Sequence, residues 1–102
     1  MTNLEALKNS INYPLSESHL EKILIDRSLD KNGTYEIDVK SQMELATADA
    51  IKLLVTSPNV SEGGYTLSLT EKKELMKLAT SLYVKNGEDS PFEPTISSVS
   101  VW

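Results

Sequence analysis

The sequence predicts a mostly α-helical protein: a small bundle of about four helices with a short β-hairpin or strand element and an extended C-terminal arm. Three observations predict it. Apolar residues recur at spacings of three and four, and three of the four runs are opened by a hydroxyl side chain that can cap a helix. A glycine pair, Gly63 and Gly64, is followed by strict apolar–polar alternation. From residue 89 onward helical spacing disappears, and Pro91 and Pro94 enforce an extended path. The chain therefore divides into a helical domain, residues 1–88, and an extended arm, residues 89–102.

The first helix spans about residues 3–10. Thr2 and Glu5 have the spacing of a capping box, and Leu4, Leu7 and Ile11 follow at helical intervals. Tyr13 and Pro14 end it, because the residue before proline is pushed out of the α region. Ser16 caps the second helix, with Glu17 in its first turn. Leu20, Ile23 and Leu24 form its apolar stripe and Arg27 its basic end. Asp30, Lys31, Asn32 and Gly33 signal the turn that closes it. A long third helix follows within residues 35–56, starting at Ile37 or Val39. Its buried face is read as Met43, Ala46, Ala50, Ile51, Leu53 and Leu54, and Ala46, Ala48 and Ala50 let a neighbouring helix come close. Ser57, Pro58 and Asn59 stop it.

Tyr65, Leu67 and Leu69 alternate with Thr66 and Ser68, which predicts a half-buried strand after the Gly63–Gly64 turn. Thr70 is then read as the cap of the last helix, with Leu75, Leu78, Ala79, Leu82 and Tyr83 as its buried stripe and Gly87 as its stop. In the arm, Ile96, Val99, Val101 and Trp102 stand among serines as a strand in search of an edge. That edge is residues 65–69 of the same or a neighbouring chain.

Composition narrows the function. The chain has 102 residues, the length of one domain. Aromatic residues are only 6% of it, so the core rests on Leu, Ile, Val, Ala and Met. The absence of cysteine excludes disulfides and thiolate metal sites. No signal-like or membrane-length apolar run occurs, which points to a soluble, intracellular protein. Ten basic and fifteen acidic residues give a net charge of −5, the wrong sign for attracting phosphate backbones.

No residue set for covalent chemistry can be assembled. His19 is the single histidine and has no nucleophile or acid at a triad-like position, so it reads as a surface residue. Asp26 and Asp30, with Glu36 and Asp38 beyond the turn, lack the ordered spacing of a calcium loop. Arg27 and Lys31 beside them point to surface ion pairs. Gly63 and Gly64 do not belong to a phosphate-binding loop, because no Gly-x-x-x-x-Gly-Lys pattern exists. The expectation is a protein with no catalytic, cofactor-binding or metal site that acts by contact. Its candidate interface residues are Tyr65, Leu67, Leu69, Phe92, Ile96, Val99, Val101 and Trp102.

The segment VSEGGYTLSLTEKKELMKLATSLYVKNGE resembles the C-terminal half of bacteriophage head–tail connector proteins, also called adaptor or head-completion proteins. The matching positions are Gly63, Gly64 and Tyr65, then Leu78 and Ala79 through Tyr83 to Gly87 and Glu88. The Tyr13-Pro14-Leu15-Ser16 opening and the alanine-bearing central helix are similar too, so the resemblance covers about residues 1–88. Asn86 departs from it, since an aromatic often precedes that glycine. The resemblance implies a structural virion protein, assembled in the bacterial host cytoplasm, that forms a ring of its own copies, expected as a dodecamer. Its implied partners are the portal protein on one side and a tail-side connector or stopper protein on the other. DNA would pass through without specific binding, and an acidic ring would not hold it. The competing reading is a small regulatory adaptor that binds one protein partner and has no virion role.

Overall fold

The computed structural model describes residues 1–11, 15–56, 68–89 and 91. Four α-helices carry the described chain: α1 (Asn3–Ser10), α2 (Glu17–Asp26), α3 (Lys40–Thr56) and α4 (Leu69–Lys85), with a 3₁₀ turn at Ile37–Val39 leading into α3. Among the described residues there is no named strand. Extended backbone pairs at an isolated antiparallel bridge between Thr2 and Thr34. The glycine pair, most of the predicted strand, the Tyr13–Pro14 break and residues 92–102 lie outside the described residues.

The start of α1 shows how thoroughly these short helices are punctuated. A helix leaves its first four N–H groups without internal partners. Here Asn3 and Leu4 donate to the carbonyls of Gly33 and Lys31, Glu5 donates to Thr2 Oγ1, and Ala6 donates to the Thr2 carbonyl. Glu5 Oε1 accepts from the Thr2 N–H in return, completing the capping box. These bonds hold the Glu5 carboxyl below its ordinary value. The loop after α2 thus serves as the partner of α1's N-terminus. Asn3 Nδ2 adds a bond to the Asp30 carbonyl at 2.8 Å.

Two helix ends use the same C-terminal device, one with the expected residue and one without it. At α4, Gly87 has φ +82°, and Gly87 and Glu88 donate to the carbonyls of Val84 and Tyr83. At α2, Ser28 has φ +62°, with Ser28 and Leu29 donating to Ile25 and Leu24. Each is a Schellman arrangement, in which a left-handed residue lets the chain turn back on the last carbonyls. Leu29 and Leu24 are both buried in one core cluster, the apolar contact that accompanies this motif. Helix α2 therefore ends at Asp26, one turn before the Asp30–Gly33 signal, because the buried Leu24–Leu29 contact outweighs the strain at Ser28. Substituting Ser28→Gly relieves that strain and is expected to raise stability by about 0.5–1 kcal/mol in urea unfolding.

Helix α3 is the middle of three layers and is buried on two faces. Met43, Ala46, Ala50 and Leu54 pack with Leu7 of α1 and Leu20, Ile23 and Leu24 of α2. Leu45, Ala48 and Ile51 face the other way and pack with Ala79 and Tyr83 of α4, where Leu75 and Leu82 lie half-buried. A single stripe was expected, and Leu45 and Ala48 were missing from it. The three alanines, all fully buried, provide the close approach the sequence predicted.

The cap of helix α4 lies two residues before the predicted one. Ser68 is the N-cap: its Oγ accepts from the Glu71 N–H, and Glu71 Oε1 accepts from the Ser68 N–H. A cap at Thr70 would put Lys73 in the reciprocal position, where no carboxylate could answer. Leu69 is consequently a first-turn helical residue exposed to solvent, not the end of a strand. Leu78, placed in the buried stripe, is 48% exposed, because Ala79 and Tyr83 turn the stripe to its other side.

Candidate functional site

The densest side-chain chemistry among the described residues converges on Arg27. Its placement follows from the α2 cap, since the turn at Ser28 leaves Arg27 as the last residue of the helix end, facing α3. Its Nε and Nη2 donate to the two oxygens of Asp49 at 2.7 and 3.0 Å. Its Nη1 and Nη2 donate to Glu88 at 2.8 and 3.1 Å. Tyr83 Oη donates to Asp49 Oδ1 at 2.6 Å. One planar guanidinium thus clamps α2, α3 and the residue that follows the α4 stop. The rigid fork of arginine suits two carboxylates in a way a lysine point charge does not.

The electrostatics favour holding over reacting. The hydrogen bonds that it donates to Asp49 raise the Arg27 guanidinium above its already high value, so it is permanently charged. Burial, and then the bond to Asp49, pushes the Tyr83 phenol well above its ordinary range. It therefore remains a donor to Asp49 and offers neither a base nor a nucleophile near neutral pH. A second, smaller clamp lies beside it. Glu44 Oε2 accepts from Lys85 Nζ at 3.0 Å and Oε1 from Asn86 Nδ2 at 3.1 Å, which lowers the Glu44 carboxyl below its usual value. Asn86, the departure from the connector pattern, is thereby used to fix the end of α4 against α3.

The ion pairs predicted around the α2 turn form with different partners. Arg27 does not pair with Asp26 or Asp30. Asp26 pairs with Lys22 one turn back at 2.8 Å, and Lys31 pairs with Glu21 at 3.1 Å. Among the described residues no three His, Asp or Glu side chains come together as a metal-binding group.

His19 lines an open cleft of about 360 Å³ between α2 and α3, together with Lys22, Ile23, Asp26, Asp49, Lys52, Leu53 and Thr56. Its polar groups are largely engaged with one another. His19 Nδ1 shares a 2.6 Å hydrogen bond with Ser16 Oγ, the α2 cap, and Lys22 is held by Asp26. No nucleophile, base and orienting group line up in the cleft.

Of the predicted interface residues, Leu69 lies on the exposed first turn of α4. Tyr65, Leu67, Phe92, Ile96, Val99, Val101 and Trp102 lie outside the described residues. Other exposed apolar side chains were not anticipated: Ile25, Ile37 and Val84, with Ile37 79% exposed. Asp49 was missed as well. A carboxylate in the alanine-rich run from Ala46 to Ala50 was the available signal, because such a residue needs a partner where it cannot reach water freely.

The sequence pattern of a family of unknown function (DUF6706) matches residues 1–102. No curated protein and no solved structure matches the chain.

Proposed function

The chain belongs to this DUF6706 family of unknown function, and we propose that it is a structural virion protein of the head–tail connector type. It forms a ring of its own copies, expected as a dodecamer, between a portal protein and a tail-side connector or stopper protein. DNA passes through the ring without specific binding. On this reading the protein acts by contact and not by catalysis.

The observation that carries the proposal is the state of α4. Its contacts are concentrated on α3, and its outward side keeps Leu69, Leu78 and Val84 exposed. Meanwhile the Arg27 and Glu44 clamps hold its C-terminal end to the rest of the chain. A full-length helix that is firmly anchored yet covered on one side is what a docking surface requires. The connector resemblance and the net charge of −5 agree with this reading.

The segment 89–102 supplies the assembly arm, with Phe92, Ile96, Val99, Val101 and Trp102 as its contacts. Deleting residues 90–102 is expected to leave a folded chain, judged by helical circular dichroism and cooperative melting, that no longer joins a portal ring. A deleted chain that joins the ring as the full chain does, or one that fails to fold, overturns the role of the arm.

A further inference from the structure

Two exposed features of opposite character remain without partners after the clamps are accounted for. The first is the tip formed by Glu36, Ile37 and Asp38 at the 3₁₀ turn. All three side chains are exposed, and neither carboxylate has a hydrogen bond or ion pair. An isolated apolar side chain at 79% exposure, held between two free carboxylates, is an unusual way to begin a helix. Ile37 gives its carbonyl to the Lys40 N–H, but its side chain is not among those packed against the core.

The second feature is the outer stripe of α4 formed by Lys73, Lys77 and Val84. Spacings of four and seven place these residues on one face of the helix, away from the buried Ala79 and Tyr83. All three are exposed, Val84 at 60%, and neither ammonium has a partner. Four residues of helix rise about 6 Å. The tip carries its two carboxylates two residues apart across the start of the 3₁₀ turn, a separation of the same order. The flexible side chains of both pairs can bring the two carboxylates to the two ammonium groups of the stripe.

Resting on the ring reading above, we propose that the Glu36–Ile37–Asp38 tip of one copy docks on the Lys73–Lys77 stripe of the next. The occupant is a second copy of this chain, because both halves of the contact are present in one sequence and complement each other in charge. The carboxylates pair with the lysines, and Ile37 packs on the lysine stems on the side of Val84. The contact joins two different surfaces, so it is heterologous and propagates head to tail. Such contacts close into rings when the rotation permits. Copies that each carry a net charge of −5 repel one another at a distance, so association depends on local complementarity of this kind.

Charge reversal tests the contact on the full chain, read by sedimentation velocity and mass photometry in low salt. Glu36→Lys with Asp38→Lys, and separately Lys73→Glu with Lys77→Glu, are each expected to weaken self-association about 10-fold or more. All four residues are exposed, so the melting temperatures should stay close to that of the parent chain. An equimolar mixture of the two variants should recover association, since each reversed surface then meets its complement. The chain carrying all four reversals keeps the net charge of −5 and should recover it too. Raising the salt toward 1 M should weaken the parent contact. Folded variants that assemble like the parent chain, or a mixture that stays dissociated, overturn this contact and leave the ring reading standing. A parent chain that does not associate, alone or on a portal ring, overturns both.

Discussion

Replacing Arg27 with methionine is expected to destabilise the chain by about 2–3 kcal/mol. The magnitude follows from where the clamp sits between two limits. Breaking one side of a fully buried ion pair costs about 3–5 kcal/mol, whereas an exposed pair is worth about 0–1 kcal/mol. The Arg27 and Asp49 side chains are 18% and 24% exposed, which is closer to the buried limit. The loss is large because methionine leaves Asp49 only the Tyr83 hydroxyl, at 2.6 Å, of its side-chain donors among the described residues, and leaves Glu88 without its anchor. In thermal unfolding the midpoint should fall by on the order of 10 °C. Arg27→Lys should recover less than half of the loss, since a single ammonium cannot donate along both edges of two carboxylates. Adding Asp49→Leu to Arg27→Met should recover part of it, because the stranded carboxylate is then gone. A midpoint unchanged by Arg27→Met would show that the clamp is ornamental.

The second large effect belongs to the α1–α2–α3 core. Leu24→Ala is expected to cost about 3–4 kcal/mol in urea unfolding. Leu24 is fully buried in one cluster with Leu7, Leu20, Leu29 and Ala50, which come from several elements and cannot all collapse into the space left behind. Leu24 also forms the apolar half of the α2 stop with Leu29, so its loss weakens the turn that aims Arg27. For a domain of this length, total stability is of order 5–15 kcal/mol, and the variant would keep only part of it. Leu78→Ala offers the comparison. With nearly half its surface in water, Leu78 should cost less than about 1 kcal/mol to remove. Equal losses at the two sites would contradict the layer arrangement.

Much of the fold was legible because its signals are local. The Thr2–Glu5 capping box, the Ser16 cap and the Gly87 stop each need only a few neighbouring residues, and each is found where the sequence placed it. Errors arose where a distant partner decides. Ser28 adopts a left-handed conformation that serine alone would not favour, because Leu29 gains the core. Helix α3 shows no single apolar stripe, because layers cover it on both sides and Leu45, Ala48 and Ile51 serve the second one. Ser68 and Thr70 are both good caps, and the reciprocal carboxylate of Glu71 selects the first. Arg27 has Asp26 and Asp30 beside it in sequence but reaches Asp49 and Glu88 across the fold. Local reading saw the charges and could not see which of them the helix packing would bring together.

The same limit applies to function. The expectation of no catalytic set came from the composition, while the exposed surfaces of α4 and of the 3₁₀ turn emerge only once packing places the other described side chains. Leu69 was named as an interface residue for its place in a strand. It remains exposed for a different reason, as part of the uncovered side of α4.

Native mass spectrometry of the full chain, alone and with an assembled portal ring, tests the central claim most directly. One discrete closed multiple of the chain mass is expected on the portal, with twelve copies the expected number on the connector resemblance. A discrete one-to-one complex with an unrelated protein, together with a chain that stays monomeric beside the portal, would contradict it.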